Sequence, residues 1–122
     1  EWRLLTGEMT LPAIMRSVDV PIFTSGATDS IVAAFARMPA LYYFDNEVAA
    51  RLRDLGSPDG RWFVADLGGV MTITGPDTAE ETIRRFLSPE GKRELRQTQE
   101  ANFPLPKNWD SAPRVLDFVE KL

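Results

Sequence analysis

Apolar positions fall in short runs separated by stretches of helical period, an alternation that repeats along the first two thirds of the chain. Trp2–Thr6, Val20–Thr24, Ala40–Phe44 and Val70–Thr74 read as strands, the second with Pro21 confined to its first residues because proline cannot donate to a ladder. Between them the pattern predicts helices. One covers Leu11 to Val18, capped by Thr10, with Pro12 in its first turn. Another runs from Asp29 to Met38 and is stopped by Pro39. Its centre, Ile31 to Ala36, is apolar nearly all round and predicts burial on more than one side. A third is capped by Asn46 and reaches Leu55, with Val48, Leu52 and Leu55 on one face and Gly56 as its end signal.

Arg61 to Leu67 fits helix or strand, and Gly68-Gly69 breaks it. From Pro76 the period is helical throughout. Asp77 or Thr78 caps a helix that turns Ala79, Ile83, Phe86 and Leu87 inward, and Ser88-Pro89-Glu90 opens a mostly polar helix to about Ala101. Phe103 to Pro106 is extended. A last helix begins at Asp110 or Ser111, with Val115, Phe118, Val119 and Leu122 inward. Strands separated by ten-residue helices pair in parallel through crossovers, so the expected fold is α/β, a Rossmann-like parallel sheet with flanking helices, in one domain over 1–122.

Composition removes several functions. The chain has no cysteine and no histidine, hence no disulfide framework, thiolate metal site, imidazole base or Ser-His pair. Neither residues 1–75 (6 basic, 9 acidic) nor 76–122 (8 basic, 9 acidic) carries enough positive charge to neutralise a phosphate backbone, so nucleic acid is not an expected partner. The longest fully apolar run is Ile31–Ala36, too short to span a bilayer, and no basic segment leads into an apolar one. No transmembrane segment, a cytoplasmic location and no cofactor are the resulting expectations.

The candidate site is the loop Ser25, Gly26, Ala27, Thr28, Asp29 and Ser30, which follows a strand and opens the apolar helix. In a parallel sheet ligands gather at the carboxyl ends of strands, and free N–H groups at a helix start favour an anion such as phosphate. A glycine there lets a ligand approach the backbone. The alternative is that Thr28 and Asp29 only cap the helix, the commoner use of such residues, and the Asp29 carboxylate itself opposes an anion. Glu80-Glu81 and Asp45-Asn46-Glu47 sit at helix starts, where acids offset the dipole. Arg84-Arg85 and Lys92-Arg93 read as solvated faces, and Trp62-Phe63 and Tyr42-Tyr43 as core or interface. Asn102-Phe103-Pro104 with Trp109 offers a docking surface.

The order Asp19-Val20-Pro21-Ile22-Phe23-Thr24-Ser25-Gly26-Ala27-Thr28, an alanine-rich helix and then Met38-Pro39-Ala40-Leu41-Tyr42 resembles the carboxy-terminal domain of GT-B-fold glycosyltransferases. It is similar above all to the peptidoglycan N-acetylglucosaminyltransferase and other polysaccharide-biosynthesis enzymes. Gly68-Gly69-Val70 followed by Thr78-Ala79-Glu80-Glu81 continues the likeness, which spans roughly Leu4 to Leu87. The resemblance implies half of a GT-B fold that binds a nucleotide-diphosphate sugar, the diphosphate cradled by Ser25 to Thr28, with no catalytic residue of its own and no metal. It further implies an amino-terminal acceptor domain or a separate subunit, so the chain is a fragment or a partner and should not turn over alone. Two departures stand out. The acidic residue that these families place seven positions before the proline, to hold the donor ribose, is Val32 here, leaving Asp29 and Ser30 as the nearest polar groups. The loops that usually recognise the base are also missing. A nucleotide-sugar 2-epimerase-like domain shares the turn, and a non-catalytic interaction module with a degenerate donor pocket is the third expectation.

Overall fold

The computed structural model describes residues 7, 9–24, 26, 28–105 and 119–121. The strand expected over Trp2–Thr6, most of the last helix, and Trp109 of the docking surface lie outside them. The chain runs α1 (Leu11–Ser17), β1 (Ile22–Phe23), α2 (Thr28–Phe35), β2 (Leu41–Tyr43), α3 (Asn46–Asp54), α4 (Phe63–Asp66), β3 (Met71–Ile73), α5 (Pro76–Leu87) and α6 (Pro89–Asn102). The three strands form one sheet in the order β1-β2-β3, both pairings parallel. Ile22 lies opposite Leu41, and Leu41 opposite Met71. Mixed α/β architecture with a parallel sheet is therefore what the spacing of apolar runs predicts.

Side chains alternate across the sheet and define two cores. Tyr42, on one face, packs with Ala33 and Ala34 of α2, Val48 and Leu52 of α3, and Val64 of α4. Leu41 and Ile73, on the other, pack with Phe86 of α5 and Leu95 of α6. Gln99 of α6 is buried and ties the layers together, its amide donating to the carbonyls of Met38 (3.1 Å) and Gly69 (2.9 Å). Phe103 follows it into the first core and meets the Phe35 ring edge-on at 5.4 Å. Phe103 is thus core and not a docking surface, and the Asn102 side chain donates to the Leu67 carbonyl.

Several local expectations are corrected. α2 is not buried all round: Ser30, Ala33 and Ala34 face the core, while Val32 and Phe35 are exposed, because only one side of the helix meets the sheet. It ends at Phe35, ahead of Pro39. Arg37 adopts the left-handed conformation (φ 58°), and Met38 donates back to the Ala33 carbonyl at 2.9 Å. The cap of α3 is Asp45, whose carboxylate accepts from Val48 N–H at 2.9 Å, and not Asn46. Leu55 lies past the end of α3, 75% exposed, and Leu87 faces solvent. Arg61–Leu67 resolves into the single turn α4. α5 starts at Pro76 after Gly75, with no side-chain cap, whereas α6 has the expected Ser88 cap, its hydroxyl accepting from Gly91 N–H at 3.0 Å.

Candidate functional site

Because all three strands run the same way, the turn after β1, the start of α3 after β2 and the Thr74-Gly75 turn after β3 share one edge of the sheet. The loop after β1 is where the sequence places its candidate site. Ser25 and Ala27 lie outside the described residues; Gly26, Thr28, Asp29 and Ser30 divide into two inward and two outward groups.

Gly26 and Ser30 are committed to the fold. The Gly26 N–H donates to the Tyr42 hydroxyl at 3.2 Å, and burial of that phenol raises its pKa against the smaller opposing effect of the Gly26 bond. Gly26 has φ 66°, and a β-carbon there would lie 2.8 Å from Leu52 Cδ2 and 3.2 Å from the Trp62 ring. Glycine is required by the backbone conformation and by two apolar side chains, so the close approach is made by this protein's own core. Ser30 is buried, and its hydroxyl accepts from the Trp62 indole N–H at 2.9 Å. Thr28 and Asp29, in contrast, are exposed on the first turn of α2.

Trp62 therefore joins this turn to a neighbouring cleft of about 460 Å³ between α3, the loop before α4 and the end of β3. Asn46, Arg53, Arg61 and Thr74 line it together with Asp59 and Asp66. Arg61 pairs with Asp66 at 3.0 Å. Asp59 accepts from Arg61 N–H (3.2 Å) and from the Ser57 hydroxyl (3.0 Å), which hold its carboxyl below the usual range. Arg53 forms no ion pair among the described residues. Two cations and two carboxylates balance, which suits a polar ligand of little net charge.

The sequence missed the role of Trp62, although an indole N–H among apolar residues has to find an acceptor and so signals a tertiary bond. Of the acidic clusters, Glu80 pairs with Arg84 and Glu47 with Arg51, both along exposed helix faces. Among the described residues no group of three or more acidic side chains could hold a metal ion, and no helix is long and apolar enough to cross a membrane. No protein-family model matches the chain, and no curated protein or solved structure matches it significantly.

Proposed function

We propose that the chain is the nucleotide-diphosphate-sugar-binding part of a glycosyltransferase, half of a GT-B fold that works with an acceptor-binding domain or subunit. The observation that carries this reading is the exposed first turn of α2, with Thr28 and Asp29, at the carboxyl edge of a parallel sheet and beside a polar cleft. The amides of that turn, and not the Gly26 amide, receive the diphosphate and stabilise it as the leaving group. The Trp62 cleft beside it takes the uncharged remainder of the donor.

Two observations favour a second reading, a non-catalytic interaction module. Gly26 N–H and the Ser30 hydroxyl both make bonds within the fold, and Val32 stands where a ribose-binding carboxylate is expected. Titration of ¹⁵N-labelled protein with uridine, guanosine and thymidine diphosphates separates the two. Saturable shifts of the Thr28, Asp29 and Ser30 amides with one of them support donor binding; silence at those amides with all three supports the module.

A further inference from the structure

A second, roomier cleft of about 720 Å³ opens at the opposite edge of the sheet, where the chain enters β1 and β2. It owes nothing to the nucleotide reading. Its walls are apolar, formed by Met15, Val18, Val20, Met38 and Leu87, and Val18 and Leu87 remain 43% and 46% exposed. Its lining also carries three cations, Arg16, Arg37 and Lys92, against the single carboxylate of Asp19, although the whole chain has a net charge of −4. The side chains of Arg16 and Lys92 have no ion-pair or hydrogen-bond partner among the described residues.

The floor is preformed. Arg37, in its left-handed conformation, donates through Nη1 to the carbonyls of Ala34 (3.1 Å) and Gln99 (2.8 Å), while the Gln99 side chain holds the Met38 carbonyl. A non-glycine residue held in this region by bonds on two helices marks a segment that does not relax easily. Methionine and aliphatic carbon share one open cleft with cationic side chains, and its volume lies in the range of small-molecule sites. A neutral apolar ligand would leave the cations unused, and a polyanion would meet apolar walls and Asp19.

We propose that this cleft binds a small anionic amphiphile, an aliphatic chain lying against Met15, Val18 and Leu87 with its acidic head between Arg16 and Lys92. The test is a titration of ¹⁵N-labelled protein, below the micelle concentration, with decanoate and decyl phosphate. Decan-1-ol (tail without charge), acetate and inorganic phosphate (charge without tail) are the controls. Saturable shifts at Arg16, Val20, Met38, Leu87 and Lys92 are expected with both amphiphiles, and their relative strength tells a carboxylate head from a phosphate head. The alcohol should bind about tenfold more weakly, and the double variant Arg16→Glu, Lys92→Glu should lose a similar factor. Both residues are exposed, so the variant's circular dichroism and melting curve should match the parent; Leu87→Asn, which removes apolar wall from an exposed site, provides an independent loss of binding. Shifts confined to other parts of the chain, equal binding of the alcohol, or wild-type affinity in the charge-reversed protein would each overturn the assignment.

Discussion

The Tyr42 hydroxyl, at the centre of the sheet, accepts the backbone N–H of Gly26 at 3.2 Å, sixteen residues earlier in the chain. The bond fixes the turn after β1 onto the middle strand and turns the Gly26 amide inward. Tyr42→Phe keeps the buried ring and removes only the acceptor, leaving the amide unpaired. We expect it to cost about 1–2 kcal/mol in chemical denaturation. The same variant should bind a nucleoside diphosphate as the parent does, since that amide is not offered to a ligand.

Gly26 tests the packing side of the same turn. An alanine would have to adopt φ 66° and place its methyl against Leu52 Cδ2 and the Trp62 ring. The conformational penalty and the overpacking together predict a loss of about 2–4 kcal/mol for Gly26→Ala. Displacement of the indole should also change the tryptophan fluorescence. A variant as stable as the parent would show that the turn is not held between those side chains.

Gln99 satisfies the Met38 and Gly69 carbonyls from within the core. Gln99→Leu keeps comparable bulk but offers neither carbonyl a donor, so it should destabilise by about 2–4 kcal/mol, more than a mutation at exposed Gln97. Hydrogen exchange should quicken first at the end of α2 and around Gly69, the two segments the amide holds.

The parallel α/β architecture was legible because each strand is a short apolar run and each crossover has helical period, both local signals. What was not legible depends on partners distant in the chain. Gly26–Tyr42 and Ser30–Trp62 join residues sixteen and thirty-two positions apart, and nothing local at Ser30 says that its hydroxyl points at an indole. Val32 and Phe35 belong to an apolar stretch, yet only tertiary packing decides which side of α2 meets the sheet. Asp45 and Asn46 are both good caps. The choice of Asp45 turns on where β2 stops, one residue being enough to change it. At the candidate site, the position of the loop was readable, but which of its polar groups the fold itself uses was not.

Asp45 makes a pH prediction. Accepting the Val48 N–H lowers its pKa in the folded protein below the ordinary carboxylate value. A depressed folded pKa contributes stability above the unfolded value, near pH 3.9 in model peptides, and loses it as pH falls through the lower folded value. Urea midpoints of the parent and Asp45→Ala should therefore differ at pH 7 and converge on acidification below about pH 4. Asp59, also lowered, acts in the same direction from its turn. With no histidine in the chain, midpoints should be nearly flat between about pH 6 and 7. A gap between parent and variant that widens in acid would contradict the cap.

Asp29 separates the role of a helix cap from that of a binding group, because the two respond with opposite sign. Its exposed carboxylate sits in the first turn of α2, where negative charge offsets the positive end of the helix dipole. Asp29→Asn should thus lower stability by a few tenths of a kcal/mol. A diphosphate at the same helix start is repelled by that carboxylate, so removing it should tighten pyrophosphate binding by about two- to fivefold at low salt. The expected result for uridine diphosphate is the same rise. A rise for pyrophosphate with a fall for the nucleotide would instead assign Asp29 to the ribose hydroxyls, in place of the carboxylate that Val32 cannot supply. Unchanged affinity for both would remove the anion from this end of α2 and, with it, the proposed donor site.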